Sequence, residues 1–216
     1  VTCRFGERVA GIDRTARTVT AENGDVLAYD KLIFGTGSNP FMIPLPGHDL
    51  EGVIAYRDLE DTERMMGLGP DNKVVVIGGG LLGLEAAAGM AARGVDVTVV
   101  HIMGHLMERQ LDAEAAALLQ ASLEARGIEI LCNAHSAEIM GSHGAGCGLA
   151  LKDGLILRCD LLVMAVGIRP AVALGKEAGL QVEKAIVVDD QLRSSDPDIF
   201  ALGECVEHQG ALFGLV

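Results

Sequence analysis

Cysteine is scarce in this chain and is not arranged in pairs. The 216 residues include five cysteines, none of which forms a C-x-x-C pair or has the spacing of metal ligands. We therefore expect no redox-active disulfide and no metal centre. Reduced thiols of this kind are typical of a cytoplasmic protein.

Long apolar runs and excess positive charge are also missing. No stretch approaches the ~18 consecutive apolar residues of a membrane span. The first residues are charged where a signal peptide has its apolar region. A formal net charge of −13 disfavours nucleic acid or an anionic membrane as a partner. Since 50% of the residues are hydrophobic, the chain can bury a sizeable core and is expected to be soluble and globular.

Glycine, by contrast, is concentrated where a predicted strand meets a predicted helix. The apolar run Lys73–Ile77 leads into Gly78-Gly79-Gly80-Leu81-Leu82-Gly83. In such a loop the first glycine permits a tight turn, the second lets the backbone approach a pyrophosphate, and the third lets helix and strand pack closely. The helix N-terminus adds free N–H groups and partial positive charge. The alternative is a tight turn without a ligand.

The residues after this loop complete a βαβ unit. Leu81 to Arg93 predicts the crossover helix, Gly94 stands where a C-cap is expected, and Val95 to Val100 predicts a second buried parallel strand. The whole spans about 30 residues, the usual size of such a unit. We therefore expect a dinucleotide-binding domain.

His101 occupies the tip of the second strand, where an acidic residue normally binds a free ribose 2′-hydroxyl. A histidine there can stack on adenine, pair with a 2′-phosphate when protonated, or be a solvated loop residue. Arg109 would favour NADPH and Glu108 would favour NADH. The pattern leaves the choice of nucleotide open.

Other patterns predict the surrounding elements. Asn23-Gly24 is typical of a hairpin turn, and a buried strand precedes the small residues Gly35 to Ser38. Helices are predicted over Asp58–Met66 and Asp112–Arg126. Short alternating strands on both sides of the glycine-rich loop Gly141–Gly148 predict a small β-meander.

Four motifs in this order resemble the two-dinucleotide-fold flavoprotein reductases, the family of rubredoxin, ferredoxin and disulfide reductases. They are Tyr29-Asp-Lys-Leu-Ile-Phe-Gly-Thr-Gly-Ser, the Gly78 loop with Glu85, Ala165-Val-Gly-Ile-Arg-Pro, and Asp196-Pro-Asp-Ile-Phe-Ala-Leu-Gly-Glu. The resemblance implies an α/β fold with a Rossmann-like NAD(P)-binding domain and a β-meander over residues 52–168. Partial FAD-binding segments would flank it at 1–51 and 169–216.

The segments Val99–Asp112 and Gly203–His208 more closely resemble the large subunit of NAD(P)H-dependent assimilatory nitrite reductases. In those enzymes this part passes electrons from NAD(P)H through FAD to an iron–sulfur cluster and siroheme that lie elsewhere in the protein. The resemblance implies the rest of such a polypeptide, and a small subunit, as partners.

The resemblance also implies roles for individual residues. The pyrophosphate of NAD(P) would be carried by Gly78, Gly80, Leu81, Leu82 and Gly83, with His101 beside the nucleotide. Glu85 would lie near the nicotinamide, in the one position we expect to take part in catalysis, and Gly167 would line the nicotinamide channel. Contacts to FAD would come from Thr36, Gly37, Arg57, Gly203 and Glu204. Glu85 is otherwise a first-turn acid favoured by the helix dipole, and Arg57 a surface cation.

One departure from the family pattern concerns FAD. These flavoproteins hold the FAD pyrophosphate on a second Gly-x-Gly-x-x-Gly near the N-terminus, and this chain has none before residue 78. We therefore expect the chain to be a fragment that binds FAD weakly or not at all. Its unpaired strand edges would favour a homodimer.

Two alternative functions remain. One keeps the chemistry but changes the acceptor to ferredoxin or rubredoxin. The other is a non-catalytic NAD(H)-binding sensor, which would have no use for the flavin-contacting positions Thr36-Gly37 and Gly203-Glu204.

Overall fold

The chain forms two compact units. The computed structural model describes residues 1–141 and 147–213. A continuous unit comprises Pro40–Ile168, and a discontinuous unit combines Val1–Asn39 with Arg169–Val216. Most of the loop expected over Gly141–Gly148 lies outside the described residues.

The elements alternate between strands and helices along the chain. In order they are β1 (Val9–Asp13), β2 (Thr18–Ala21), β3 (Val26–Ala28), β4 (Leu32–Phe34), β5 (Ser38–Pro40), β6 (Val53–Ala55), α1 (Leu59–Met66), β7 (Lys73–Ile77), α2 (Leu81–Ala91), β8 (Asp96–Val100), α3 (Ala113–Glu124), β9 (Glu129–Leu131), β10 (Ser136–Gly141), β11 (Cys147–Leu151), β12 (Ile156–Cys159), β13 (Leu161–Met164), β14 (Ile168–Pro170), α4 (Ala173–Glu177), β15 (Ile186–Val187), β16 (Ile199–Ala201), a 3₁₀ helix (Gly203–Cys205), β17 (Val206–His208) and β18 (Ala211–Leu212).

The continuous unit is built on a five-stranded parallel sheet in the order β6-β13-β7-β8-β9. Alternate residues of β7 face opposite sides. Val74 and Val76 pack into the core that includes α2 and α3, and Val75 and Ile77 pack against the antiparallel meander β10-β11-β12. Burial on both faces explains the nearly unbroken valine run, because each buried valine contributes roughly 1.5–3 kcal/mol. The predicted α/β class with a β-meander is confirmed.

The continuous unit begins at Pro40, whereas the sequence motifs placed the domain boundary at residue 52. The proline-rich connection explains the difference, because Met42, Ile43 and Leu45 pack against the same core as the meander. The continuous unit ends at Ile168. The identity of these units as cofactor-binding domains stays a prediction.

The discontinuous unit has its own core, which contains Phe34, Ile186, Ile199 and Cys205. It includes the antiparallel sheet β1-β2-β3, whose β2–β3 hairpin was predicted, the parallel pair β4-β16, and the sheet β15-β17-β18. Its two sequence segments are tied together by Arg14, whose Nε donates to Asp196 at 2.7 Å. The backbone N–H of Asp198 and then this guanidinium lower the pKa of Asp196. Among the described residues, no helix is long and apolar enough to cross a membrane.

Candidate functional site

The glycine loop lies at the carboxyl edge of the parallel sheet, next to the residues that follow β13. Because β7 and β13 are parallel neighbours, Gly78 and Ala165 emerge side by side. Gly78 has φ 122°, and a Cβ there would lie 2.8 Å from the carbonyl carbon of Ala165 and closer still to its oxygen. Only glycine satisfies both the backbone angle and this close approach.

Gly83 and Gly80 differ in what surrounds them. A Cβ on Gly83 would lie 3.1 Å from the carbonyl carbon of Gly78 and closer to its oxygen, so this glycine sets how closely α2 packs on the loop. A Cβ on Gly80 would meet no atom of the described residues within 4 Å. The space in front of Gly80 is open to a ligand.

Helix α2 begins without a side-chain cap, unlike its neighbours. Asp58 caps α1 and Asp112 caps α3, each accepting an N–H three residues further on at 2.9 Å. Gly80 caps α2 with no side-chain hydrogen bond. Within the described part of the chain, the first-turn N–H groups therefore have no protein acceptor; they belong to Leu81, Leu82 and Gly83. An uncapped N-terminus facing open space fits an anionic pyrophosphate.

Glu85 and Gly167 flank this anion site. Glu85 is exposed and lies beyond the first turn of α2, which contains no acidic residue. The interpretation of Glu85 as a first-turn acid favoured by the dipole is therefore wrong, since that effect is confined to the first turn. Gly167 follows β13, is exposed and has φ 114°, and no atom of the described chain lies within 4 Å of its Cβ position.

His101 lies beneath the glycine loop. Only 6% of its surface is exposed, so the solvated-loop interpretation is wrong. The N–H of Gly79 donates to His101 Nδ1 at 3.0 Å, and His101 Nε2 lies 3.2 Å from Glu108 Oε2. These bonds engage both ring nitrogens within the protein and do not favour the direct nucleotide contact expected from the sequence. Arg109 is largely exposed and approaches Glu108 at 3.9 Å.

Four flavin-side positions lie together in the discontinuous unit. Since β4 and β16 are parallel neighbours, Thr36 and Gly37 follow one strand while Gly203 and Glu204 follow the other. Thr36 Oγ1 donates to the Ala171 carbonyl at 2.8 Å, and both glycines have positive φ, 61° and 77°. The sequence motifs are thus brought to one edge, where small residues let a ligand approach.

Ser38 is a residue of this edge that the motif analysis missed as a site residue. It is buried, and its hydroxyl donates to Glu204 Oε2 at 2.6 Å. The bond orients the carboxylate of Glu204. Its place directly after Gly35-Thr36-Gly37 was the only available signal.

Arg57, the fifth predicted flavin contact, belongs to the continuous unit. It is exposed and directly precedes the N-cap of α1, and its backbone N–H donates to Asp61 Oδ2 at 2.9 Å. The structure therefore places it in a different unit from the other four positions.

These geometries agree with comparisons to known proteins. A family model described as pyridine nucleotide-disulphide oxidoreductase matches residues 1–213. The chain belongs to this family. The resemblance to flavoprotein reductases is confirmed, and the family uses NAD(P)H and FAD.

Relatives of this oxidoreductase domain are considerably longer. A nitrite reductase [NAD(P)H] from Bacillus subtilis is 47% identical over 97% of this chain and 26% of the relative. An assimilatory nitrate reductase electron transfer subunit from the same organism is 42% identical over 100% of this chain and 28% of the relative. A ferredoxin reductase from Rhodopseudomonas palustris has a TM-score of 0.88 and 35% identity, covering 94% of this chain and 50% of that structure.

Proposed function

We propose that the continuous unit binds NAD(P)H with its pyrophosphate at the N-terminus of α2. The main support for this proposal is the first turn of α2, which has no side-chain cap and lies next to the open space at Gly80. Three N–H groups and the helix dipole would neutralise the pyrophosphate without a lysine or arginine. The nearby glycines would leave the ligand's approach unobstructed.

The remaining residues of this unit would orient the nicotinamide. Glu85 is an exposed residue of α2, and Gly167 lies in the connection that follows β13, the parallel neighbour of β7. Bound NAD(P)H would supply the hydride for reduction of FAD, so no side chain of this unit would need to act as a nucleophile. Glu85 would hold the ring by a polar contact, and Gly167 would leave room beside it.

A competition titration tests the nucleotide site. We expect NADH to bind the 216-residue chain in calorimetry, ADP-ribose to compete with it, and adenosine to compete poorly, because the pyrophosphate supplies the main contact. Equal competition by adenosine would contradict a site centred on α2. NADPH titrated in parallel measures the nucleotide preference.

On the flavin side, we propose that Thr36, Gly37, Gly203 and Glu204 contact FAD in the complete protein. Their position after two parallel strands supports this role. So does the 61% exposure of Ile33 on β4, because parallel strands are normally covered on both faces. The FAD contact expected of Arg57 stays a prediction from the family resemblance.

This chain alone is expected to retain FAD at far below stoichiometric level after incubation and desalting. Its only Gly-x-Gly-x-x-Gly loop is the one at Gly78, so the flavin pyrophosphate has no comparable cradle here. The visible absorption spectrum measures the retained flavin. A persistent flavin band that NADH bleaches would contradict this expectation and show a competent reductase.

For the complete protein, we propose NAD(P)H-dependent reduction of nitrite to ammonia, with siroheme and an iron–sulfur cluster outside this chain. The 47% identity to a nitrite reductase supports this acceptor. A protein containing this chain at full length should oxidise NAD(P)H when nitrite is added and release ammonia. Oxidation with ferredoxin or rubredoxin but not nitrite would instead favour the alternative that the ferredoxin reductase likeness supports.

A further inference from the structure

Gly79, the middle glycine of the loop, is held on both sides by the segment that follows β8. Its N–H donates to His101 Nδ1 at 3.0 Å, and its carbonyl accepts from Met107 N–H at 2.9 Å. A Cβ on Gly79 would lie 2.7 Å from His101 Cγ and 2.8 Å from Leu106 Cδ2. We call His101, Leu106 and Met107 the Gly79 clamp.

The clamp fixes two successive peptide planes. His101 orients the plane that carries the Gly79 N–H, and Met107 orients the plane that carries the Gly79 carbonyl and the Gly80 N–H. Because the carbonyl and N–H of one peptide point in opposite directions, the Gly80 N–H points away from Met107. Because the loop is already held in this conformation, a nucleotide that binds to it loses less free energy to ordering the loop.

The hydrogen bonds also define the state of the imidazole. Nδ1 accepts from a backbone N–H and must carry a lone pair, so the ring proton lies on Nε2, which faces Glu108 Oε2 at 3.2 Å. A second proton on Nδ1 would set two N–H groups against each other. The bond to Gly79 would then be lost.

We propose that His101 is a positioning residue whose neutral imidazole holds the glycine loop in its dinucleotide-binding form, so that protonation weakens NADH and NADPH binding equally. The proposal rests on the proposed nucleotide site. A direct contact between His101 and the nucleotide would have the opposite pH dependence, because an imidazolium paired with a 2′-phosphate would strengthen NADPH binding in acid.

The charged groups around the ring act in both directions. The Glu108 carboxylate attracts an imidazolium, and Arg109, 3.9 Å from Glu108, partly offsets that attraction. His105, in the same segment, directs Nδ1 to the Leu106 carbonyl at 3.1 Å. The glycine loop itself contributes no titratable side chain.

A further titratable group in this region is Cys132, which packs against the core that contains Leu106. Burial, with a smaller contribution from Glu124, raises the pKa of its thiol. Cys132 therefore stays neutral over the pH range in which a histidine titrates.

The test compares two amide substitutions that replace different ring nitrogens. In His101→Asn the side-chain oxygen takes the place of Nδ1 and keeps the bond to Gly79, whereas in His101→Gln the amide reaches the place of Nε2 and loses it. NADH and NADPH are titrated into the 216-residue chain by calorimetry between about pH 5.5 and 8. Residual pH dependence in His101→Asn belongs to the nucleotide or to other groups.

We expect acidification to weaken both nucleotides about ten-fold in the unsubstituted chain, the ratio that ~1.4 kcal/mol produces. His101→Asn should bind as the unsubstituted chain does at neutral pH and lose most of the pH dependence. His101→Gln should bind about ten-fold more weakly at every pH. Acid-strengthened binding of NADPH alone, or equal affinity of the two variants, would overturn the proposal.

The Gly79 amide resonance in a ¹⁵N–¹H spectrum reads the bond without any nucleotide. On acidification it should shift in the unsubstituted chain and stay in place in His101→Asn. If no nucleotide binds at any pH, the proposed function fails by itself. A Gly79 amide resonance that stays in place when the unsubstituted chain is acidified refutes the clamp in either case.

Discussion

Replacing Gly78 with alanine is expected to lower the free energy of unfolding of the continuous unit by at least ~3 kcal/mol. The backbone there has φ 122°, which side-chain-bearing residues rarely adopt, and the added Cβ would run into the Ala165 carbonyl. That carbonyl belongs to the turn after the central strand β13 and has little freedom to move. Because single domains have only about 5–15 kcal/mol of stability, the loss would be severe.

Gly167→Ala is the matched control. Gly167 lies in the same unit with a similar angle, φ 114°, but none of the residues that the structure describes has an atom within 4 Å of its Cβ position. This variant should lose only the cost of the backbone angle, about 1–2 kcal/mol. The difference between the two variants then measures the clash with Ala165.

Hydrogen exchange of peptides from β7 measures the effect in the right unit. Each unit holds one of the two tyrosines and the chain has no tryptophan, so a global fluorescence signal would mix the units. Peptides from β1 to β3 provide an internal reference. Equal destabilisation by Gly78→Ala and Gly167→Ala would mean that the Ala165 carbonyl shifts to avoid the added methyl group. Close packing would then not be the reason why glycine is needed at position 78.

The parts of the fold that were predictable are those in which local pattern and burial coincide. The valine run of β7, buried on both faces, allowed no other interpretation than a central strand. Helices α1 and α3 begin after Asp58 and Asp112, the residues whose side chains cap them. The pairing of β7 with β8 follows from the predicted βαβ connection, whereas the place of β13 on the other side of β7 comes from the structure alone.

The role of His101 was not predictable from the sequence. Position alone placed it at the tip of β8, where a side chain normally points toward the nucleotide. Whether its ring turns outward or under the loop depends on Gly79 lacking a Cβ and on Glu108 facing Nε2. Such contacts are set by tertiary packing, which no local pattern records.

Tertiary packing also explains why the continuous unit starts at Pro40 and why Ser38 lies at the flavin-side edge. Prolines in the connection indicated a linker, but the apolar residues between them bury against the meander core. The local sequence gives Ser38 no particular role. Its role arises because β16 pairs with β4 and Glu204, which follows β16, accepts a hydrogen bond from Ser38. In both cases residues far apart in the sequence decide the outcome.

Replacing Gly80 with alanine should weaken NADH binding by about two orders of magnitude, equivalent to ~2.8 kcal/mol, and leave the fold intact. Gly80 has φ −87° and ψ −178°, an ordinary extended conformation, and its Cβ would contact no atom in the described part of the chain. Alanine is a poorer N-cap than glycine, but it also restricts the unfolded chain, and these small effects oppose each other. The methyl group would instead occupy the space through which the backbone approaches the pyrophosphate.

Gly89→Ala supplies the control, since it makes the same substitution at an exposed position of α2. The Cβ position of Gly89 likewise has no atom of the described residues within 4 Å. It should raise stability by about 1 kcal/mol through helix propensity and leave NADH affinity unchanged. Calorimetric titration together with thermal unfolding separates the two effects. If Gly80→Ala bound NADH as tightly as Gly89→Ala, the pyrophosphate would not lie against Gly80, and the proposed position of the nucleotide on α2 would have to be abandoned.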